Sequence, residues 1–366
     1  MEDTEKWGST KGAFSEFSQQ FESRKQDHIR LSLDDANEAI GASGLDRIQL
    51  CHEALPELDF SEISINTTAL GMELETPFLV SSMTAGHPEG MDLNRGMAVA
   101  CQERGWLMGV GSQRRQLVDL ESDQEWKALR AQAPKLRLLG NLGLSQLIRT
   151  PIKQVQRLVD SLEASAMVIH TNPLQECLQP EGTPHFKGGL AALTELSRVL
   201  SVPVIIKETG CGFGGGTLER LRQTGVQAVD VSGYGGTHWG RIEGRRAEGG
   251  SIKSRAARSF WHWGVSTVDS LEIGLAKAAG LGKLPGYEIW ASGGLRSGLD
   301  GAKVLAMGAR VAGFAKPILR AALQGEAQLH LEMEQMEYEL KTALFCTGCA
   351  SIAELQSKGI WSWRQG

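Results

Sequence analysis

The sequence lacks both an excess of positive charge and any long apolar run. Its formal net charge is −5 and its pI is about 6.0, so the overall charge does not attract nucleic acid or an anionic membrane. No stretch approaches the ~18 apolar residues of a membrane-spanning helix, and residues 1–30 contain no signal-peptide apolar core. We therefore predict a cytoplasmic protein that binds neither nucleic acid nor membrane. Any anionic ligand needs a local cluster of basic side chains.

Cysteine patterns typical of disulfide frameworks are absent as well. The six cysteines are scattered along the chain, as in reduced intracellular proteins. Cys346 and Cys349 form the one closely spaced pair. A zinc site would need a second pair or nearby histidines, and a redox site would need a preceding strand. We interpret the pair as two ordinary thiols near the end of a C-terminal helix.

Composition and length place the chain among globular proteins. Hydrophobic residues make up 41% and charged residues 22% of the 366 residues, close to globular averages. This length accommodates one α/β barrel of roughly 250 residues with an appendage, or two ordinary domains. Glycine is in excess, at 44 residues, or about 12% against a usual ~7%. The excess lies in clusters beside polar residues, as expected where backbone approaches a ligand closely.

Residues 1–76 predict an N-terminal arm and a β-ribbon. The arm, residues 1–30, ends in the basic cluster Arg24, Lys25 and His28. Over 58–76 apolar and polar residues alternate, which favours a ribbon over a helix. From residue 77 onward short apolar runs alternate with helical patterns, which is typical of βα units.

Eight apolar runs begin mostly ~30 residues apart, which is about the length of one βα unit. They occupy residues 77–82, 106–112, 136–141, 166–171, 202–208, 226–232, 287–293 and 309–315. The long gap before residue 287 indicates an insertion at about 240–264. Eight parallel strands predict an α/β fold, a (β/α)₈ TIM barrel over 77–366 with C-terminal helices. The alternative, an open doubly wound sheet, rarely needs eight evenly spaced parallel strands.

Nearly every predicted strand ends in a polar or charged residue. Asn141, His170, Lys207 and Ser232 are examples. Because active sites of such barrels lie at the carboxyl ends of the strands, we predict one active site at the barrel mouth. The loops at 292–298 and 313–316 combine glycine with basic residues and predict a phosphate cradle. A plain left-handed turn would explain one glycine but not the paired loops.

Seven segments resemble type 2 isopentenyl-diphosphate isomerase, an FMN-dependent (β/α)₈ barrel. They are SSMTAG (81–86), GVGSQR (109–114), NLG (141–143), HTNPLQECLQPEG (170–182), VIIKE (204–208), DVSGYGGTHWGRIE (230–243) and SGGLRSG (292–298). The resemblance extends over nearly the whole chain, and HTNPLQE followed by QPEG is its most specific part. It implies interconversion of isopentenyl and dimethylallyl diphosphates by a redox-neutral 1,3-allylic proton shift that uses reduced FMN and Mg²⁺.

The resemblance also implies a set of FMN contacts. These are Ser82, Met83, Thr84, Ser112, Asn141, Lys207, Ser232, Thr237, Gly293, Gly294, Arg296, Ala315 and Lys316. Lys207 resembles the family lysine near the flavin ring, where a cation stabilises the reduced form. NADPH is the expected reductant of the flavin. The family further implies a homotetramer or homo-octamer.

A second set of implied residues serves the substrate. The substrate contacts are Arg24, Lys25, His28, Arg114, His170, Asn172, Gln175 and Trp239. Glu176 is the expected Mg²⁺ carboxylate, since Mg²⁺ usually takes one or two protein carboxylates with phosphate oxygens and water. Gln175, Glu243 and His170 are the expected catalytic residues. For Glu243, a salt bridge within its arginine-rich loop is the alternative interpretation.

Two departures from the family pattern occur, at Ala85 and His238, and His238 is expected beside the flavin. The arginine-rich insertion, which also contains Trp261 and Trp263, favours a lid over a diphosphate rather than a nucleic-acid surface. The runner-up functions are a 2-hydroxyacid oxidase and a nucleotide dehydrogenase. The first needs a His-Gly-Gly-Arg-type motif after strand six and the second a nucleophilic cysteine there, and neither is present. A third hypothesis is that the chain is a flavin-binding homologue without activity.

Overall fold

The structure, a computed structural model, describes residues 27–83, 88–119, 122–278 and 286–364. Arg24, Lys25, Thr84 and Ala85 lie outside these ranges. Twelve strands are present in them: β1 (Ile48–Leu50), β2 (Thr67–Ala69), β3 (Met72–Leu74), β4 (Phe78–Val80), β5 (Leu107–Gly109), β6 (Leu138–Gly143), β7 (Ala166–Thr171), β8 (Val204–Glu208), β9 (Ala228–Asp230), β10 (Glu288–Trp290), β11 (Ala312–Phe314) and β12 (Trp361–Trp363).

Helices follow the strands. They are α1 (residues 27–33), α2 (Pro88–Arg104), α3 (Asp123–Gln132), α4 (Leu144–Leu147), α5 (Ile152–Leu162), α6 (Pro173–Leu178), α7 (Gly189–Val199), α8 (Gly215–Leu221), α9 (Trp239–Arg246), α10 (Ile252–Ser259), α11 (Thr267–Ala278), α12 (Gly298–Met307), α13 (Lys316–Gln324), α14 (Glu326–Phe345) and α15 (Ile352–Ser357). In the ranges given above, no helix has the length and apolar character that crossing a bilayer requires.

Strands β4 to β11 form one parallel sheet in the order β10-β9-β8-β7-β6-β5-β4-β11. A parallel bridge between Ala291 and Ala312 joins its two edges. The predicted (β/α)₈ barrel is therefore confirmed, and each predicted apolar run overlaps one barrel strand.

Side-chain alternation along the strands divides the core into two layers. Leu79 of β4 points into the barrel with Leu107, Leu139 and Ile205, whereas Phe78 packs outside it against Trp106 and Phe314. Successive residues of a strand point to opposite faces, so strands buried on both sides are mainly apolar, and the polar residues of β6 to β9 lie toward the carboxyl ends. Fully burying one such leucine is worth about 1.5–3 kcal/mol.

The antiparallel hairpin β2–β3 closes the amino end of the barrel. Ala69 and Leu74 pack against the barrel interior, and the Leu70 amide donates to Glu288 at the start of β10 over 2.7 Å. The sequence predicted a ribbon from residue 58, but residues Phe60–Glu62 form a 3₁₀ turn and the hairpin occupies only 67–74. With this end filled, ligands have access at the opposite end.

A second ribbon joins the terminal parts of the described chain. β1 pairs antiparallel with β12, so that Gln49 faces Ser362. The sequence analysis predicted only helices after the barrel and missed this strand pair. Cys346 follows the last residue of α14, and Cys346 and Cys349 are both free thiols.

Candidate active site

Two adjoining cavities open at the carboxyl ends of the barrel strands. The first spans about 1100 Å³ including its open mouth, and glycines 210, 236, 293, 294 and 313 are part of its wall; we call it the glycine cavity. The second spans about 840 Å³ including its open mouth and is lined by several side-chain amides, and we call it the amide cavity. Six residues line both: His28, Ser82, Met83, Lys207, Thr209 and Trp239.

The glycine cavity has the features of an anion cradle. Gly294 has a φ of +80°, and a Cβ there would lie 2.5 Å from the Gly235 carbonyl oxygen, so the loop requires glycine. Helix α13 begins beside this loop, and Ala315 at its N-cap offers no side-chain cap to the first amides. The buried Ser81 hydroxyl also faces this cavity without a hydrogen-bond partner in the described chain. These groups fit the phosphate end and polar edge of FMN.

The two cations expected at the phosphate end are linked by a carboxylate that the sequence analysis missed. Glu38 accepts from Arg296 at 2.8 Å and from Lys316 at 2.9 Å. Lys316 also donates to Asp35 over 2.8 Å. Residues 37–39 run beside the 236–238 loop, where the Ala39 amide donates to the Gly236 carbonyl. The chain after the arm is therefore fixed to the glycine cavity.

Lys207 has a buried partner at the junction of the two cavities. Its Nζ donates to Asp230 over 2.6 Å and to the Ser292 hydroxyl over 2.7 Å. Ser292 donates in turn to both carboxylate oxygens of Asp230. All three residues are at most 7% exposed. Sequence analysis named Lys207 and placed Ser292 in the 292–298 loop, but it identified neither Ser292 nor Asp230 as a partner of Lys207.

In the amide cavity, a hydrogen-bond chain fixes His170. The Asn141 amide donates to the Val110 carbonyl over 3.1 Å, which leaves its oxygen 2.8 Å from His170 Nδ1. Because this oxygen can only accept, Nδ1 carries the proton. Arg114 and Ser112 line the same cavity, so Ser112 and Asn141 lie on this side rather than beside the glycines.

Glu176 lines the amide cavity from helix α6. Its Oε2 accepts from the Thr183 amide at 2.6 Å, and its Oε1 lies 3.4 Å from the Asn172 amide nitrogen. In the described ranges no three His, Cys, Asp or Glu side chains gather as a metal-binding group. One carboxylate beside the amide oxygens of Asn172, Gln175 and Gln179 is a donor set that suits Mg²⁺ when phosphate oxygens and water supply the remaining ligands.

Glu243 lies behind the amide cavity in a network of four side chains. Its Oε1 accepts from His28 at 2.8 Å and from Gln175 at 2.9 Å, and its Oε2 accepts from Arg246 at 2.6 Å. Burial raises the pKa of Glu243, but the contacts with His28, Arg246 and Gln175 outweigh it and hold the pKa below its usual value. The salt bridge of the alternative interpretation is thus present, and Glu243 also contacts two cavity-lining residues, Gln175 and His28.

Trp239 lines both cavities from the first residue of α9. Its ring meets the His28 ring edge-on at 5.0 Å. His238 is not beside the cofactor cavity as expected, because its fully buried ring caps α9: Nδ1 accepts from the Arg241 amide and Nε2 donates to the Trp263 carbonyl. Burial lowers the pKa of His238 to about 4, so the ring is neutral and structural.

The insertion after β9 forms helices α9 and α10. The Arg241 guanidinium joins it to the rest of the site by donating to the Trp261 carbonyl, the Glu38 carbonyl and the Tyr234 hydroxyl. Thr237, Ala315 and Ser232, three of the implied FMN contacts, line the glycine cavity. Ser232 has a positive φ of 36°, a strained value typical of functional sites.

The fold and the glycine cavity define this chain as a flavin-type (β/α)₈ barrel. Residues 189–362 match the FMN-dependent dehydrogenase family. Solved structures with the same fold include a lactate oxidase from Pediococcus acidilactici, with a TM-score of 0.66, 15% identity and coverage of 95% of this chain and 94% of that one. A mandelate oxidase variant with an FMN adduct has a TM-score of 0.62 and 19% identity, and 92% of each chain is covered.

Much higher identity connects the chain to another group of proteins. Isopentenyl-diphosphate delta-isomerase of Legionella pneumophila (strain Corby) is 51% identical over 344 residues, covering 94% of this chain and 98% of that protein. The enzyme of the same name from Bdellovibrio bacteriovorus is 50% identical, with 94% and 99% covered, and that from Nostoc sp. is 42% identical, with 93% and 96% covered. The chain belongs to the isopentenyl-diphosphate delta-isomerase family, which confirms the predicted family and enzyme class.

Proposed function

We propose that this enzyme interconverts isopentenyl diphosphate and dimethylallyl diphosphate by a redox-neutral 1,3-allylic proton shift, with reduced FMN and Mg²⁺. The observation that carries the proposal is the pair of cavities with a common wall. A cofactor in the glycine cavity and a substrate in the amide cavity would meet at Lys207, Met83 and Trp239. The names of the relatives support this substrate.

FMN would be held mainly by the backbone of the 292–298 loop and the start of α13, with Lys316 and Arg296 at the phosphate end. Ser81 and Ser82 would offer hydroxyls along its edge. When bound in its reduced form, FMN supplies proton-transfer chemistry at the common wall. Thr84 is proposed as a further contact from outside the described residues.

The diphosphate would lie in the amide cavity with Glu176 as the protein ligand of Mg²⁺. Arg114 offers a positive charge, and the fixed tautomer of His170 leaves Nε2 as the atom that accepts or holds a proton. Arg24 and Lys25 are proposed to join from the arm. Through its π face, the Trp239 ring would stabilise positive charge that develops on the hydrocarbon part of the substrate.

Gln175 and Glu243 are proposed to assist the proton shift in different ways. Gln175 lines the amide cavity directly. Glu243 is fully buried and reaches the cavity only through its hydrogen bonds to Gln175 and His28. Its role is therefore to hold these two side chains in place and to stabilise a proton on His28.

The helices α9 and α10 are proposed as a lid that excludes water during the reaction. Arg241 connects them to the Glu38 carbonyl beside the glycine cavity, and Lys253 connects them to the Gln179 carbonyl beside the amide cavity, so they would cover both. NADPH as reductant, the homotetramer or homo-octamer and the cytoplasmic location stay predictions.

Product analysis tests the proposal. The protein is incubated with isopentenyl diphosphate, FMN, Mg²⁺ and NADPH without oxygen, and dimethylallyl diphosphate is the expected product. Because oxidases of 2-hydroxyacids have the same fold, oxygen consumption with lactate or mandelate is measured in parallel. Turnover of a 2-hydroxyacid, with no isomerised product, would favour an oxidase instead.

A further inference from the structure

The ends of three neighbouring strands bring one lysine, one aspartate and one serine into contact beneath the junction of the two cavities. Lys207 and Asp230 are register partners in β8 and β9, and Ser292 follows β10. The Asp230 carboxylate accepts from Lys207 Nζ, from the Ser292 hydroxyl and from the Ser232 amide at 3.1 Å. Two of the three Lys207 ammonium protons are therefore used within this cluster, and its geometry is fixed by strand register.

The pair is largely shielded from solvent. The side chains of Lys207 and Asp230 are 9% and 2% exposed. At this burial charges are weakly screened, so the carboxylate largely offsets the field of the ammonium at the cavity wall. A lone buried lysine would present a full positive charge to the same wall, and the aspartate removes most of it.

We propose that Asp230 is a positioning residue that orients Lys207 and offsets its charge, and thereby sets how strongly the site prefers reduced over oxidised FMN. The inference rests on the proposed function, because it requires FMN in the glycine cavity. It concerns a residue that touches the ammonium rather than the cofactor. The same carboxylate also accepts from the backbone amide of Ser232, the next cavity-lining residue after β9.

The test measures the ratio of the dissociation constants of oxidised and reduced FMN, obtained from titrations and from the midpoint potential of the bound flavin. In Asp230→Asn the unopposed ammonium should raise this ratio at least tenfold, equivalent to ~30 mV for a two-electron couple. In Lys207→Met the unopposed carboxylate should lower it at least tenfold. The double variant should return to within threefold of the wild type, because both charges are gone.

Asp160→Asn, the same substitution at an exposed position of α5, serves as the control and should leave the ratio within threefold. If Asp230→Asn fails to fold, the comparison of Lys207→Met with the double variant still decides. A double variant that behaves like Lys207→Met, or a folded Asp230→Asn with an unchanged or lowered ratio, would overturn the inference. Absence of any FMN binding by the wild-type protein would instead overturn the proposed function.

Discussion

Burial of Glu208, the residue after Lys207, makes stability depend on pH near neutrality. Burial raises the pKa of Glu208 to about 7, although the amides of Thr209, Cys211 and Gly212 donate to its carboxylate. The unfolded chain has the usual value of 4.5. The folded state thus binds this proton more tightly, so stability is lost as the pH rises from about 4.5 to about 7.

Glu208→Gln should therefore gain stability relative to the wild type as the pH rises. The glutamine oxygen can accept the same amides and mimics the protonated carboxyl. The difference in the free energy of unfolding between variant and wild type should grow by up to about 3 kcal/mol between pH 5 and pH 8. Urea unfolding at both pH values measures it. A difference that stays constant across this range would contradict the shifted pKa.

A substitution at Glu176 separates the effect of losing Mg²⁺ binding from the effect of losing FMN binding. We expect Glu176→Gln to retain FMN with an unchanged spectrum, because Glu176 lines the amide cavity and not the glycine cavity. Looser placement of the diphosphate should cost on the order of 10²-fold in rate, with a raised KM and a raised Mg²⁺ requirement. Glu195→Gln, at an exposed position of α7, is the control. Near-normal kinetics at limiting Mg²⁺ would assign the metal to another group.

Site residues that end a strand were predictable, and their partners were not. His170, Lys207 and Asn141 stand out because a polar residue ends an apolar run. Asp230 was overlooked because it lies within its apolar run, VQAVDVS, and Ser232 was taken as the end of the strand. The carboxylate could still have been recognised as a site residue, because a buried carboxylate requires a partner. Glu38 gave no such signal, since its contact with Lys316 spans 278 positions of the chain.

Among the strands, regular spacing along the sequence decided which ones could be predicted. Eight buried parallel strands repeat with a common length, so their pattern shows in the sequence. β1 and β12 have three residues each and pair across almost the whole chain, and neither has a pattern of its own. The alternation of apolar and polar residues over 58–66 suggested a strand. The 3₁₀ turn at Phe60–Glu62 instead packs Phe60 against Phe345 of α14.

The glycine loop after β10 gives a prediction for an element rather than a side chain. Gly294→Ala places a Cβ 2.5 Å from the Gly235 carbonyl oxygen, so the loop must shift away from the cavity. We expect FMN affinity to fall more than tenfold and stability by about 1–3 kcal/mol. Fluorescence titration of FMN and thermal unfolding measure both effects.

Gly71→Ala is the matched control for this loop. Gly71 has a similar φ of +72° in the β2–β3 turn, but a Cβ there meets nothing within 4 Å. The substitution should lower the free energy of unfolding only by the ~1–2 kcal/mol of a left-handed alanine and leave FMN binding intact. Equal loss of FMN in both variants would show that general destabilisation, and not the loop, explains the effect.

At the scale of the whole molecule, a barrel filled at one end by the β2–β3 hairpin directs all chemistry to the other end. There the glycine cavity, the proposed FMN site, adjoins the amide cavity with the Glu176 carboxylate, and the Lys207–Asp230 pair lies at their junction. An oxidase with this fold passes electrons out of its substrate. An isomerase needs only to hold the flavin reduced while protons move.

The last prediction follows from that distinction. Activity should require reduced FMN and Mg²⁺ but consume no stoichiometric NADPH, because the substrate and product have the same oxidation state. Once the flavin has been reduced under anaerobic conditions, many turnovers should follow with no further loss of NADPH absorbance, and dithionite should replace NADPH. Product and NADPH are quantified in the same sample. Product that accumulates in step with NADPH oxidation would assign the barrel to a dehydrogenase, whatever its relatives catalyse.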